Sequence, residues 1–195
     1  MKQQIKSILI IVFLFVLSER LIAQTAYEIK SYSIVISGTS NLHDWTADVE
    51  KVSGSLKLKI ENGKISDIQN VEIVVDAASL KGSKGSIMNS KINDALKSEK
   101  YPKINFKSTQ LGSITENAGV NHINSTGILT IAGVSKSINI DSSGKLLPNG
   151  DIELSGIKKI KMTEYKVKPP TAMFGALTTG DEITIAFKVV IKSVQ

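Results

Sequence analysis

Alternating hydrophobic and polar residues run through most of the chain. Residues 56–60 place leucine and isoleucine on one face and lysines on the other, and residues 183–191 repeat the alternation near the C-terminus. A period of two is typical of β-strands that bury one face. The same pattern predicts further strands at residues 32–36, 45–49, 71–75, 104–106, 129–131, 134–140 and 152–154. About nine strands are therefore expected.

Tight-turn signals separate several of these strands. Asn62-Gly63 and Asn149-Gly150 are the dipeptides that suit two-residue hairpins. No alternation of strands with helices is visible, so a doubly wound fold is excluded. The pattern favours an antiparallel barrel or sandwich.

One segment has the period of a helix instead. From residue 86 onward, apolar side chains recur at helical spacing, at Met88, Ile92, Ala95 and Leu96. We predict a short amphipathic helix that Pro102 brings to an end. The chain then reads as one all-β domain, over residues 27–194, with one helix inserted mid-chain.

The N-terminal residues have the composition of a secretory signal peptide. Lys2 and Lys6 precede an apolar run over residues 8–17, and Ala23 is a small residue at a suitable cleavage point. The run is shorter than the roughly 20 residues that a membrane-spanning helix needs. We predict that residues 1–23 are removed and that the mature protein is periplasmic or secreted. The chain has no cysteine, so neither disulfides nor a lipid-modified cysteine are expected.

The charge of the mature chain argues against nucleic acid as a partner. Removing residues 1–23 takes away three cations and one anion, which lowers the formal net charge from +6 to +4. The remaining cations are all lysines and are scattered, whereas bidentate reading of phosphates and bases favours arginine. Weak contact with anionic membrane surfaces is consistent with this charge, and a homodimer is a further candidate partner.

The only tryptophan lies in a cluster that resembles a catalytic or metal site. His43, Asp44 and Trp45 are consecutive, but neighbouring residues of a strand point to opposite faces and would not converge on one ion. The other histidine, His122, is distant in sequence. We interpret the cluster as the first hairpin, with Trp45 facing inward, and expect no metal, cofactor or catalytic residue.

A second unusual stretch is apolar where a loop is expected. Pro169 and Pro170 should end a strand over residues 165–167, and Met173 and Phe174 follow in the loop. We expect this loop to plug one barrel end as ordinary core. The alternative is a lid over a cavity mouth, with methionine supplying adaptable contact.

Several segments together resemble one known family. These are "GTSNLHDW" at 38–45, "LKSEKYPKINFKS" at 96–108 and "LTIAGVSKSINI" at 129–140. The last is similar to a strand pair of the YceI-like lipid/polyisoprenoid-binding family, with matches at Leu129, Thr130, Ile131, Gly133 and Val134. The resemblance covers the chain from about residue 32 to 192.

The resemblance implies a lipocalin-like eight-stranded antiparallel β-barrel that holds a long apolar lipid, of the polyisoprenoid or isoprenoid quinone type, in its lumen. It also implies a binding protein rather than an enzyme.

General physics agrees with a ligand-holding interior. An eight-stranded barrel is either filled by its own side chains or holds one small ligand. Only eight aromatic residues remain after residue 23, so the inner faces are mostly aliphatic and leave free space. We expect the ligand contacts at Trp45, Met88, Phe106, Tyr165, Met173, Phe174 and Phe187. A polar headgroup would lie at the mouth, near Trp45, Tyr165 or the loop of Met173 and Phe174.

Two other classes of function stay open at this stage. A secreted barrel with a filled core could bind a protein or glycan through its rim loops. An enzyme acting on a bound lipid would need a titratable side chain in the lumen, for which the candidates are His43, His122, Asp76 and Glu164. A lumen lined by aliphatic residues would separate the carrier from the filled-core alternative.

Overall fold

A computed structural model describes residues 24–194, so the predicted signal peptide lies outside the described residues. Within this range the chain forms eleven strands and one α-helix. They are β1 (Thr25–Ser40), β2 (Trp45–Val49), β3 (Val52–Glu61), β4 (Lys64–Asp76), β5 (Leu80–Gly82), α1 (Ser86–Leu96), β6 (Lys103–Asn117), β7 (Val120–Ile131), β8 (Val134–Leu146), β9 (Ile152–Lys161), β10 (Thr171–Ala172) and β11 (Leu177–Ser193).

Eight of the strands close into an antiparallel ring. Their order is β1-β3-β4-β6-β7-β8-β9-β11, and β11 pairs with β1 to complete the circle. β3 pairs with the first part of β1, and β2 pairs with the last part of β1, so the two strands share one position in the ring. In the same way β5, which follows β4 after the 3-10 turn Ala77–Ser79, pairs with β2 where β4 pairs with β3. The predicted eight-stranded barrel with one helix is thereby confirmed.

The hairpin turns use left-handed backbone conformations. Asn62 and Gly63, with φ of 51° and 74°, join β3 to β4 as the sequence predicts. Ala132 and Gly133 join β7 to β8 in the same way, with φ of 48° and 78°. A Cβ at position 133 would also lie only 2.5 Å from the Tyr101 ring, so glycine is required there for space as well as for conformation.

The helix has the predicted apolar stripe but ends earlier than predicted. α1 stops at Leu96, because Lys97 adopts a left-handed conformation with φ of 52°. The Ser98 amide then donates to the Asn93 carbonyl at 3.0 Å, which satisfies a carbonyl of the last turn. The prediction that Pro102 ends the helix was wrong, because a backbone cap stops it five residues before the proline.

Two buried clusters lie toward the two ends of the barrel. The floor cluster lies where the β3–β4 and β8–β9 hairpins turn, and consists of Tyr27, Leu56, Leu58, Ile65, Ile123, Ile152, Val189 and Ile191. The cap cluster lies at the opposite end and consists of Leu129, Ile131, Ile160, Met162, Tyr165 and Val167. The barrel wall between the clusters surrounds the site described below.

The cap cluster corrects the expected strand over residues 165–167. β9 ends at Lys161 and is followed by the 3-10 turn Met162–Tyr165, which folds inward over the end of the barrel. Lys166 has a φ of 55°, and this left-handed residue reverses the chain so that both Tyr165 and Val167 are buried. Burial of alternate residues here comes from a folded turn rather than from a strand.

The floor cluster predicts the cost of opening that end of the barrel. Leu58 is 1% exposed, and Leu58→Ala should lower the free energy of unfolding by about 2–5 kcal/mol because it leaves a cavity. Lys57→Ala, on the exposed face of the same strand, should change it by no more than about 0.5 kcal/mol. Urea denaturation measures both. Equal effects of the two variants would contradict the inward placement of Leu58.

Candidate functional site

A cavity of about 600 Å³ occupies the barrel interior between the floor cluster and α1. Aliphatic side chains from the ring strands form most of its wall, among them Ile34, Val71, Ile104, Ile140, Leu154 and Ile185. Their inward placement follows from the alternation seen in the sequence. The volume lies within the range of small-molecule pockets, roughly 300–1,000 Å³. The interior is therefore hollow rather than filled.

Three segments surround the mouth of this cavity. They are the β1–β2 turn, the N-terminal half of α1, and the stretch from Pro170 to Leu177. The Asn41 side chain joins the first and third segments, since its Nδ2 donates to the Ala176 carbonyl at 2.8 Å. Its Oδ1 accepts from the Thr178 amide at 3.0 Å. The main-chain amide of Asn41 also donates to the Thr178 carbonyl at 3.1 Å, so the side chain extends the pairing of β1 with β11 at this rim.

Trp45 stabilises this rim by a hydrogen bond and by packing. Its Nε1 donates to the Thr39 carbonyl at 3.1 Å, and its ring covers Gly38, where a Cβ would collide with the indole. The turn before it is held by the Ser40 hydroxyl, which accepts the amide of His43 at 3.1 Å. The interpretation of this stretch as the first hairpin is confirmed.

Histidine and the carboxylates do not form a reactive group here. His43 Nδ1 lies 3.0 Å from the main-chain oxygen of Asp44, not from a carboxylate. Of the four enzyme candidates, His43 alone borders the cavity, and it does so at the mouth. Asp76 Oδ1 instead accepts the amide of Ala78 at 3.1 Å. Residues 24–194 contain no group of three or more His, Asp or Glu side chains that could hold a metal.

Most of the predicted ligand contacts do line the cavity. These are Trp45, Met88, Phe106, Tyr165 and Phe187. The expectation that Met173 and Phe174 pack inward as core is wrong. Both residues have positive φ, 50° and 54°, and both side chains are exposed to solvent, Phe174 fully. Their role as ligand contacts stays a prediction.

The sequence reasoning missed the polar residues inside the lumen. Lys158, Ser125 and Ser142 all line the cavity. The signal was present, because Ile152 and Leu154 set the phase of β9, and extending that phase by four residues places Lys158 on the inner face. Expecting lysine to lie outside obscured this.

The cap over the cavity is held by one carboxylate. Asp181 Oδ1 accepts the amide of Thr163 at 2.9 Å, and Oδ2 accepts the Thr163 hydroxyl at 2.6 Å. The hydroxyl hydrogen bond is the largest cause that holds the pKa of Asp181 below its ordinary value. These bonds tie the 3-10 turn that carries Tyr165 to β11.

Tyr165 itself is a buried aromatic with a polar atom that lacks a partner. Its side chain is 1% exposed, and within the described residues its hydroxyl has no hydrogen-bond partner. Burial, and then the nearby charge of Glu164, raise the pKa of the hydroxyl, which stays protonated.

A closed antiparallel barrel with a hollow aliphatic lumen defines a lipocalin-like protein. Residues 27–191 match the protein family of the YceI-like domain, so the chain belongs to the YceI-like family. No curated protein sequence matches the chain.

Solved structures share this fold at low sequence identity. BcnA from Burkholderia cenocepacia is 20% identical with a TM-score of 0.62, over 82% of this chain and 95% of BcnA. A polyisoprenoid binding domain from Saccharophagus degradans, implicated in plant cell wall breakdown, is 14% identical with a TM-score of 0.64, over 87% and 99%. The Campylobacter jejuni YCEI protein is 21% identical with a TM-score of 0.60, over 76% and 84%.

Within residues 24–194 no helix combines the length and the apolar character that crossing a membrane requires.

The clamp on the cap predicts a pH dependence. The depressed pKa of Asp181 means that its stabilising effect is complete above the ordinary aspartate value of 3.8 and is lost as the pH falls through the lower folded value. Asp181→Asn should therefore lower Tm at neutral pH, and the difference from the unaltered protein should shrink below about pH 4. Thermal melts across pH 2–7 measure this. A Tm difference that stays constant down to pH 2 would exclude the clamp.

Proposed function

We propose that the protein is a periplasmic or secreted carrier that shelters a long apolar lipid, of the polyisoprenoid or isoprenoid quinone type, in the barrel lumen. The observation that carries the proposal is the aliphatic cavity of about 600 Å³. The structural relative from Saccharophagus degradans is a polyisoprenoid binding domain, which supports the ligand class. The function needs no bond to be made or broken.

The size of the cavity bounds the ligand. At about 30 Å³ for each water-sized group, the lumen accommodates roughly twenty carbon-sized groups, or about four isoprene units. Burying several hundred Å² of such a tail at about 25 cal/mol per Å² gains on the order of 10 kcal/mol before the costs of association. Hydrophobic burial is thus the main favourable contribution to retention, from which the costs of association are subtracted.

The hollow lumen also weighs against the alternatives. Protein interiors are normally close-packed, so a protein that binds only through its rim loops is expected to have a filled core. The open interior is therefore unexplained if the rim is the only binding site. An enzyme acting on the lipid would need an acid or base beside the bound tail, and the nearest of the candidates, His43, lies at the mouth. We therefore propose binding without catalysis.

The lumen proposal is tested by filling the space with a side chain. Ser125 lines the cavity, and Ser125→Phe should lower the affinity for a C20 isoprenoid alcohol at least tenfold by occupying its volume. Ser137→Phe is the matched control, because Ser137 is exposed on β8. Quenching of Trp45, the only tryptophan, reports binding directly from the cavity wall.

Native mass spectrometry of protein purified from its own host gives a second measurement. We expect a retained hydrophobic molecule in the unaltered protein and its loss from Ser125→Phe. Equal binding by both phenylalanine variants, or host material that never carries a hydrophobic molecule, would refute the carrier.

The rim of the mouth carries the features of a membrane contact. Four large apolar side chains are exposed on the three segments around the mouth: Leu42, Ile87, Met173 and Phe174. Lys84 and Lys91 lie at the same rim. Exposed apolar residues beside lysines suit the interface of an anionic leaflet. We propose that the mouth faces an anionic lipid surface when the ligand enters or leaves.

Vesicle binding tests this contact. Leu42→Asp combined with Phe174→Asp should abolish co-sedimentation with phosphatidylglycerol vesicles, while Ile157→Asp, an exposed residue of the barrel wall, should not. Phosphatidylcholine vesicles should bind less strongly, since they lack the net charge. If the double variant instead changes only the oligomeric state in light scattering, the rim joins two copies of the chain and the membrane contact is wrong.

A further inference from the structure

One strand of the barrel reverses the usual placement of charge. In β9 the inward face carries Ile152, Leu154 and Ile160, and Lys158 falls on that same face and lines the cavity. Its neighbour Ile157 points outward and is 65% exposed. The wall would be more stable by simple burial with the two residue types exchanged. The inward position of Lys158 therefore indicates a role in the cavity rather than in the stability of the wall.

Strand register places Lys158 on the inner wall of the barrel, beside the cap cluster. It pairs with Ile185 of β11, which also lines the cavity. Two residues to one side on β9, Ile160 belongs to the cap cluster, and six residues to the other side, Ile152 belongs to the floor cluster. The lysine therefore lies between the two clusters, nearer the cap cluster, on the wall that a bound tail would touch.

The charges that face the cavity are all of one sign. Besides Lys158, they are Lys84 and Lys91 at the mouth, and over the described range no aspartate or glutamate lines the cavity. Nor does Lys158 form an ion pair or side-chain hydrogen bond within residues 24–194. By contrast Lys159, on the outer face, lies 3.1 Å from Glu182. A cation beside an aliphatic lumen costs free energy unless a counter-charge meets it.

We propose that Lys158 binds an anionic oxygen group, a carboxylate or a phosphate, of an amphiphile whose apolar tail fills the lumen. The inference rests on the carrier function proposed above and narrows its ligand to anionic lipids. An ammonium is a point charge on a flexible stem, so it accepts either oxygen group. Ser142 lies on β8, the neighbour of β9, and Ser125 lies one strand further along the same wall, on β7. Each hydroxyl makes only a long contact to a main-chain oxygen, 3.4 and 3.5 Å, and so is available to the same headgroup.

Pairs of probes with identical tails test the headgroup. Geranylgeranyl phosphate is compared with geranylgeraniol, and palmitate with hexadecanol, by quenching of Trp45. The unaltered protein should prefer at least one anion over its alcohol by tenfold or more, and the pair with the larger ratio identifies phosphate or carboxylate. Lys158→Met should bring that ratio to within about twofold. Lys158→Arg, which keeps the charge, should preserve most of it.

Matched lysines elsewhere serve as controls. Lys159→Met, one residue along on the outer face, should leave the anion-to-alcohol ratio unchanged. Lys84→Met combined with Lys91→Met removes the charges at the mouth and should leave most of the ratio intact. Circular dichroism and Tm establish that each variant folds, and Lys158→Gln replaces Lys158→Met if the latter does not.

The outcomes separate this inference from the carrier function. If Lys158→Met retains the ratio, or the double variant at the mouth loses it, Lys158 is not the recognition point. If the unaltered protein binds alcohols as tightly as anions, the inference is wrong and the carrier stands. If it binds none of the four probes, the carrier proposal itself fails.

Discussion

Closure of the hydrogen-bonded ring is the constraint on which the rest of the structure depends. Because β11 returns to pair with β1, each of the eight strand positions has a neighbour on both sides, and every second side chain must point into one enclosed space. The bulk of those inward residues then decides whether the space is filled. Here the inward residues are mainly isoleucine, leucine and valine. They pack into buried clusters toward the two ends of the barrel and leave the space between the clusters open.

The distribution of charge follows the same constraint. On the outer wall lysines meet carboxylates on adjacent strands, as Lys107 does with Glu72 at 2.7 Å and Lys188 with Glu153 at 3.3 Å. Such exposed pairs contribute little to stability, but they keep the wall soluble and balanced. The interior receives lysine without carboxylate. Strand alternation therefore places paired lysines on the outer face and one unpaired lysine, Lys158, on the inner face of the described barrel.

Most strands could be predicted from the sequence, because strand alternation and the Asn62-Gly63 turn are local signals, whereas the eight-stranded barrel was implied by the family resemblance. The two-residue turn predicted at Asn149-Gly150 is wrong, since five residues, 147–151, join β8 to β9. The other errors fall where the backbone leaves ordinary conformations at residues other than glycine. Lys97 ends α1 and Lys166 reverses the cap, both in left-handed conformations that lysine rarely adopts. Met173 and Phe174 turn outward for the same reason. At Lys158 the local signal was adequate, and the assumption that charge lies outside was at fault.

Two positions of the ring are each shared by two strands, β3 with β2 and β4 with β5, and this affects how the wall near the mouth is held together. Toward the mouth β5 pairs only with β2 among the described strands, and α1 packs against β5. On this side of the mouth the barrel wall is completed by packing of the helix against aliphatic side chains, not by a ladder of backbone hydrogen bonds. Moving α1 away from β5 breaks fewer backbone hydrogen bonds than separating two paired strands, so the wall is least constrained at the helix.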